Sequence, residues 1–181
     1  MKLTKQLTLP EIYKYFYEKN GQLYWSISRG VIKKDSLAGC NKKGYLKVVL
    51  GGKEYCVHRI LYQIYHKLYE IPNEIQIDHI DNNKLNNNVH NLRLATNSQN
   101  QMNVNAQRNN KTGYKNILTY NSHYYKNIHY QVKIFFNGKR YCKLFPHTND
   151  GLEQAIVHRN EKLRELHGKF ANLGTLQKGP Q

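Results

Sequence analysis

Residues 77–100 read IDHIDNNKLNNNVHNLRLATNSQN, and the fold of the central part of the chain depends on how this stretch is interpreted. Its asparagine content alone is typical of a disordered, low-complexity tract. Apolar residues nevertheless recur regularly through the surrounding segment, which indicates a packed core. We therefore predict two short strands that flank a long turn, followed by a helix from about Ser98 to Gln107.

The same stretch carries side chains that suit phosphodiester hydrolysis. That reaction needs a base for the attacking water and a cation for the developing charge. A neutral histidine can be the base, since its unperturbed pKa is about 6.5, and aspartate and asparagine oxygens suit a hard cation such as Mg²⁺. Because neighbouring strand residues point to opposite faces, Asp78 and His79 can converge only at a bend or a strand end. The candidate set is Asp78, His79, Asn91 and Asn100.

The sequence before this stretch divides into short helices and strands. Thr8 can cap a helix, and Pro10 is tolerated in its first turn. Gly51-Gly52 predicts a tight hairpin turn, and Pro72 ends the last helix of this part. The predicted elements are a helix from Leu9 to a stop at Asn20-Gly21, strands at 22–26, 44–50 and 53–57, and a helix at 57–69.

The sequence after the central stretch predicts a second sheet. Asn137-Gly138 is a strong two-residue hairpin signal, and residues 109–113 have the composition of a linker. The predicted elements are strands at 114–120, 130–136 and 139–145 and an amphipathic helix at 150–167. We predict an α+β fold in three parts, which are 1–72, 73–110 and 111–181.

The charge of the chain points to a polyanionic partner. The chain has 181 residues and a formal net charge of +16, and like charges repel in a compact fold. Nucleic acid is the leading candidate, because no run of about 18 apolar residues supports a membrane partner. Cys40, Cys56 and Cys142 form no C-x-x-C pair, which argues against a disulfide framework and against structural zinc. The N-terminus has no apolar signal core, so we expect a cytoplasmic protein.

The central stretch resembles the HNH nuclease motif of phage and intron-encoded homing endonucleases. The resemblance implies a ββα-metal fold, in which two strands, a loop and a helix surround one divalent metal ion. Mg²⁺ is the expected ion and Mn²⁺ the alternative. The resemblance also implies that His79 is the general base and that Asp78 and Asn100 are metal ligands. Asn91 would brace the loop and orient the histidine, and Arg93 would contact phosphate.

The segment before the motif is similar to the one that precedes it in phage HNH proteins. The similarity lies in the hairpin that begins at Gly44 and in the helix that begins with Val57-His58-Arg59. We expect this helix to pack on the nuclease core. His58-Arg59 has two interpretations, a contact with the DNA backbone or a packing role.

The C-terminal part resembles an AP2-type DNA-binding domain, whose three-stranded sheet lies in the major groove with alternate side chains facing the bases. The resemblance includes Gly113-Tyr114 and Gly138-Lys139-Arg140. Tyr130 stands where tryptophan is usual, and the first hairpin, through 121–127, is longer than in the pattern. The implied DNA contacts are Lys115, Lys133, Lys139, Arg140 and Lys143. The alternative is a generic sheet-and-helix module whose lysines are solvated.

These observations predict a metal-dependent HNH endonuclease that hydrolyses phosphodiester bonds in double-stranded DNA. It would be phage-encoded or intron-encoded, would act in the host cytoplasm and would need no small-molecule cofactor. The sequence leaves open a monomer or a homodimer, and the cutting of one strand or two. One alternative is a DNA-binding regulator with an inactive nuclease core, and another is an RNA-binding structural protein.

Overall fold

A computed structural model describes residues 6–106, 109–121 and 127–174 of the chain. The contacts between residues divide the chain into two compact units, one that ends at Asn100 and one that begins at Gln101. Both units combine helices with small antiparallel sheets, which confirms the predicted α+β class. The finer division into three parts stays a prediction.

The first unit begins with helix α1, Leu9–Tyr15. Thr8 caps it as predicted, because its hydroxyl accepts a hydrogen bond from the backbone N–H of Glu11. The Glu11 carboxylate in turn accepts from the backbone N–H of Thr8 at 2.8 Å. This reciprocal pair satisfies two N–H groups that the first turn of a helix leaves unpaired.

The prediction that this helix continues to Asn20-Gly21 is wrong. Strand β1, Phe16–Lys19, follows α1 directly and pairs with strand β2, Gln22–Trp25. Asn20 and Gly21 have positive φ angles of 54° and 74°, so they form the two-residue turn of this hairpin. The Phe16 ring lies 4.6 Å from that of its cross-strand partner Trp25, and both are buried.

Three further strands and a helix complete the part before the central stretch. They are β3, Cys40–Lys42; β4, Tyr45–Leu50; β5, Lys53–Cys56; and α2, Val57–Tyr65. The strands form one antiparallel sheet in the order β3-β4-β5. The Gly51-Gly52 hairpin turn is confirmed, whereas β3 was not predicted because its three exposed residues show no apolar alternation. Helix α2 ends at Tyr65, before the predicted end at Tyr69.

The central stretch forms two antiparallel strands and a helix, as predicted. They are β6, Gln76–His79; β7, Leu92–Ala95; and α3, Asn97–Asn103. Helix α3 is shorter than predicted, and Gln107 lies outside the described residues. Helix α2 shares a buried cluster with the hairpin. Its members are Tyr62, Ile71, Ile77 and Leu92.

The second unit contains the predicted three-stranded sheet and its helix. The elements are β8, Ile117–Asn121; β9, Ile128–Phe136; β10, Lys139–Pro146; and α4, Asn149–His167. The sheet order is β10-β9-β8, and Asn137-Gly138 forms the predicted hairpin turn. Of the longer first hairpin, residues 122–126 lie outside the described residues.

One face of this sheet is covered by α4, and the opposite face, called the open face below, is exposed in the part of the chain that the structure describes. Val132 and Ile134 of β9 pack with Ala155 and Leu163 of α4 in a buried cluster. None of the helices in the described ranges has both the length and the apolar character that a membrane crossing requires.

Candidate active site

The hairpin of β6 and β7 directs the predicted site residues to two different faces. Asp78 pairs with Arg93 across the hairpin, and His79 pairs with Leu92. Cross-strand partners share a face and neighbours along a strand do not. His79 therefore lies with Leu92 on the face that α2 covers, and Asp78 lies with Arg93 on the other face.

Helix α3 contacts the Asp78 face of the hairpin through the side chain of Gln76. Gln76 shares this face with Asp78, because it lies two residues earlier in β6. The Gln76 side chain accepts a hydrogen bond from the Asn100 amide and donates one to Asn97 Oδ1 at 3.4 Å. The structure thus places Asn100, one of the two predicted metal ligands, on the same side of the hairpin as the other.

Asp78 and Arg93 form a buried ion pair on this face. Arg93 donates to Asp78 Oδ2 from Nε at 2.8 Å and from Nη2 at 2.7 Å. The Asp78 side chain is 5% exposed and that of Arg93 14%, so each charge depends on the other for compensation. The sequence assigned Arg93 to phosphate, and the structure gives its guanidinium a partner within the protein.

His79 is buried on the opposite face, at the end of β6. Its Nε2 lies 3.1 Å from Oδ1 of Asn87, which is itself buried. A carbonyl oxygen can only accept, so Nε2 carries the proton and donates in this contact. Sequence analysis missed Asn87, because no spacing distinguishes it from Asn86 and Asn88 in the same run.

Two aromatic side chains enclose His79 further. The ring of His58, near the start of α2, lies 4.9 Å from that of His79 in an edge-to-face arrangement, and the Tyr45 ring lies 6.2 Å away. The Lys84 ammonium lies 4.6 Å above the Tyr45 ring and brings a positive charge to the cluster. Burial, and then the neighbouring His79 and Arg59, lower the pKa of His58 to about 3, so its imidazole is neutral.

Asn91 ties the turn after His79 to the start of β7. Its Oδ1 accepts from the backbone N–H of Asp81 at 3.1 Å, and its Nδ2 donates to Asp81 Oδ1 at 2.8 Å and to the carbonyl of Asn86 at 2.9 Å. Burial raises the pKa of Asp81, but the bonds from Asn86, Asn91 and Asn83 outweigh it and lower the pKa overall. Asp81 is therefore a charged anchor for this turn.

Arg59 has a packing role. Its guanidinium donates to the backbone carbonyls of Ile75, Ile71 and Pro72, each at 2.7 Å. These bonds fix the connection between α2 and β6. The neighbouring His58 faces the site instead.

The basic residues of the second unit lie on two sides of its sheet. Lys133 pairs with Cys142, and Arg140 pairs with Phe135, on the open face. Lys143 pairs with the buried Val132, and Lys139 precedes it by four residues on the same strand, so both lie on the α4 side. A molecule that binds to the open face would therefore contact Lys133 and Arg140.

The Lys115 ammonium forms hydrogen bonds within the protein. Its ammonium donates to the backbone carbonyls of Gln101 at 3.1 Å and Met102 at 2.8 Å, near the C-terminal end of α3. Burial, and then the charge of Arg159, lower the pKa of Lys115 to about 8. These contacts describe a helix-capping lysine.

The donors on the Asp78 face fit a hydrated divalent cation. Asp78 supplies a carboxylate, and Asn100 binds Gln76 through its amide nitrogen, a bond that does not use its carbonyl oxygen. Such oxygens are the ligands of Mg²⁺, which keeps several waters and also binds substrate phosphate. The described residues contain no group of three or more His, Cys, Asp or Glu side chains that could hold a metal. A metal ion on this face would depend on the Asp78 carboxylate, which Arg93 also binds, and on the Asn100 amide oxygen.

Comparison with known proteins gives matches over this same region. The sequence model of the HNH endonuclease family matches residues 55–102, from the end of β5 to α3. An uncharacterized HNH endonuclease of Acanthamoeba polyphaga mimivirus is 37% identical over 116 residues, which is 64% of this chain and 54% of that protein. A prophage-derived protein of Bacillus subtilis, named as an HNH homing endonuclease, is 40% identical over 57 residues, 32% of each chain.

The chain thus spans about half the length of the first relative and about a third of the second. No solved structure gives a significant match.

Proposed function

We propose that the chain, whose residues 55–102 match the sequence model of the HNH endonuclease family, hydrolyses phosphodiester bonds in double-stranded DNA. The observation that carries the proposal is a buried histidine whose Nε2 is hydrogen-bonded to an amide oxygen, at the end of a strand that also bears a buried carboxylate. The two side chains lie on opposite faces of β6, so they can act on one phosphate only at the strand end that His79 forms.

In the proposed reaction, His79 removes the proton from the attacking water. Asn87 holds the Nε2 proton, so the Nδ1 lone pair takes up the new one. Asn91 keeps the turn after His79 in place and thereby orients the histidine. Such supporting contacts matter because a histidine base works only in the correct tautomer and direction.

Asp78 and Asn100 would hold one divalent metal ion, with Mg²⁺ favoured over Mn²⁺. When bound, the ion supplies positive charge to the phosphate and to the leaving 3′ oxygen. Arg93 fixes the Asp78 carboxylate through two bonds to Oδ2 and so limits the directions in which the carboxylate can bind.

Cleavage of plasmid DNA tests the proposal directly. Wild-type protein with Mg²⁺ is expected to convert supercoiled plasmid that contains a target site to nicked or linear product, and EDTA is expected to stop the reaction. Denaturing gels of both strands show whether one strand or two are cut. If supercoiled DNA stays intact across a range of metals and targets while still being bound, the inactive DNA-binding regulator replaces the nuclease.

We infer that the second unit binds DNA through the open face of its sheet. Lys133 and Arg140 lie on this face, and they are accompanied by exposed apolar side chains, Phe135, Leu118 and Leu144. Lysine and arginine bind phosphate or base edges, and apolar side chains contact thymine methyl groups. The B. subtilis relative is named as a homing endonuclease, and a long recognition site of the homing type would need such an accessory surface.

The alternation along β10 gives a matched test of this surface. The double variant K133A/R140A is expected to weaken DNA affinity about tenfold and to reduce the slope of log affinity against log salt by about 1 to 2. K139A/K143A removes the same charge from the α4 side and is the control, with a smaller effect expected. Fluorescence anisotropy at several salt concentrations measures both. Equal effects of the two pairs would show that the sheet does not dock through its open face.

A further inference from the structure

A groove of about 790 Å³ lies beside β8 in the second unit. Leu118 and Thr119 both line it, although neighbouring residues of a strand point to opposite faces. The groove therefore follows the outer edge of β8, the strand at one end of the sheet order. Other lining residues, Val104, Asn109 and Lys111 among them, come from the segment that precedes the sheet. A groove of this volume has room for a molecule larger than a single ion.

The outer edge of β8 directs backbone groups into this groove. The N–H of Lys133 donates to the carbonyl of Asn116 at 2.8 Å, and hydrogen-bonded pairs alternate along an antiparallel ladder. Every second residue from Ile117 onward therefore points its N–H and carbonyl away from β9. The Thr112 hydroxyl donates to the outward carbonyl of Ile117 at 2.8 Å. In the part of the chain that the structure describes, nothing accepts from the outward N–H of Thr119.

The charge of the groove is positive without compensation. None of the described residues that line it is Asp or Glu, and three of them are Lys111, Lys115 and Lys133. The sequence shows the same bias over a longer range, because residues 82–149 include ten Lys or Arg and no Asp or Glu. A cleft lined by one sign of charge concentrates partners of the opposite sign. Charge complementarity thus favours a phosphate backbone over a peptide strand, which an open strand edge could otherwise bind.

We propose that this groove binds the phosphate backbone of one strand of duplex DNA. The proposal rests on the DNA binding proposed above for the second unit, and it adds a contact outside the open face. Lys111 and Lys133 supply positive charge, and Lys133 borders both surfaces. The Thr119 N–H and the exposed amides of Asn109 and Asn121 donate to phosphate oxygens. Such contacts position a protein on DNA without reading its sequence.

The double variant Lys111→Ala/Asn121→Asp tests the groove, because both side chains are exposed and the change lowers the local charge by two units. DNA affinity is expected to fall about tenfold, and the slope of log affinity against log salt by about 1 to 2. Phosphates carry no sequence information, so the same loss is expected with target DNA and with an unrelated duplex. Fluorescence anisotropy in EDTA, which prevents metal-dependent cleavage, measures both.

Lys139→Ala/Asn149→Asp is the matched control. It lowers the charge of the same unit by the same amount on the α4 side, and an acidic residue is favourable in the first turn of α4, where Asn149 lies. Its DNA affinity is expected to stay within about threefold of wild type, because salt screens charges that do not contact the DNA. Equal losses in the two double variants would overturn the proposal, since net charge alone would then explain them.

The remaining outcomes separate the groove from the open face. Wild-type affinity and salt slope in the groove variant overturn the groove, and the open face stands if K133A/R140A still weakens binding. If neither pair weakens binding, DNA binding by the second unit fails as well. A loss confined to target DNA would replace phosphate binding by base recognition and overturn the proposal.

Sedimentation and melting temperature complete the test. A wild-type dimer that dissociates in the groove variant, with DNA affinity unchanged, would put a second copy of the chain at the β8 edge and overturn the proposal. If the double variant does not fold, Lys111→Ala alone decides, with a decrease of about 1 in the salt slope as the expected result.

Discussion

His79→Ala is expected to reduce DNA cleavage about 10²- to 10⁴-fold, the usual contribution of a positioned general base. DNA affinity is expected to stay within about twofold of wild type, because His79 is 5% exposed and offers little surface to DNA. Single-turnover cleavage under excess enzyme measures the first quantity and filter binding the second. If His79 is the general base, its removal therefore lowers the rate of cleavage and leaves DNA affinity nearly unchanged.

The control for this variant must account for burial. Removing the imidazole leaves space beside His58 and Tyr45 and so lowers stability as well. His79→Gln keeps more of the volume, and its melting temperature shows whether lost activity reflects lost fold. His90→Ala provides a histidine removal outside the site, since His90 is exposed and its ring contacts Tyr65. A parallel loss of binding and cleavage in His79→Gln would make His79 structural.

The fold was predictable wherever local signals were strong. The capping residue Thr8 and the turns at Gly51-Gly52 and Asn137-Gly138 gave correct boundaries, because each acts through the backbone of a few neighbouring residues. Asn20-Gly21 is the informative failure. The same dipeptide can end a helix or form a hairpin turn, and pairing between Phe16 and Trp25 decides in favour of the hairpin. That tertiary pairing is not a local property of the sequence.

The motif supplied candidate site residues, and it did not identify the side chains that surround them. The motif pointed to Asp78, His79 and Asn91, and the structure puts all three on or beside one hairpin. Asn87 and His58 are identified by a hydrogen bond and a ring contact to His79, and these depend on how the turn folds and on where α2 packs. Sequence spacing does not contain that information.

The sequence could also have shown which basic residues of the second unit share a face of its sheet. Once 139–145 is read as a strand, alternation places Lys139 and Arg140 on opposite faces. The structure agrees, since their partners are Phe136 and Phe135. Lys115 is different, because its role depends on carbonyl groups at Gln101 and Met102 that only the folded chain brings near.

The Asp78–Arg93 pair is expected to give the largest change in stability. Asp78→Ala leaves the buried Arg93 guanidinium without its partner, and breaking one side of a buried ion pair destabilises a protein by about 3–5 kcal/mol. Urea denaturation measures this free energy of unfolding. Cleavage is expected to be lost as well, since the variant removes a proposed metal ligand.

A second substitution separates the two losses. In Asp78→Leu/Arg93→Met, apolar side chains replace both charges, and most of the stability is expected to return, because such exchanges of buried pairs are often neutral. Cleavage is expected to stay absent, since no carboxylate remains at position 78 to bind the metal ion. Recovery of stability without recovery of cleavage would assign Asp78 two separate roles, one in folding through Arg93 and one in catalysis. If the double variant cleaved DNA at the wild-type rate, the metal would have to be held elsewhere, and the catalytic part of the proposal would be wrong.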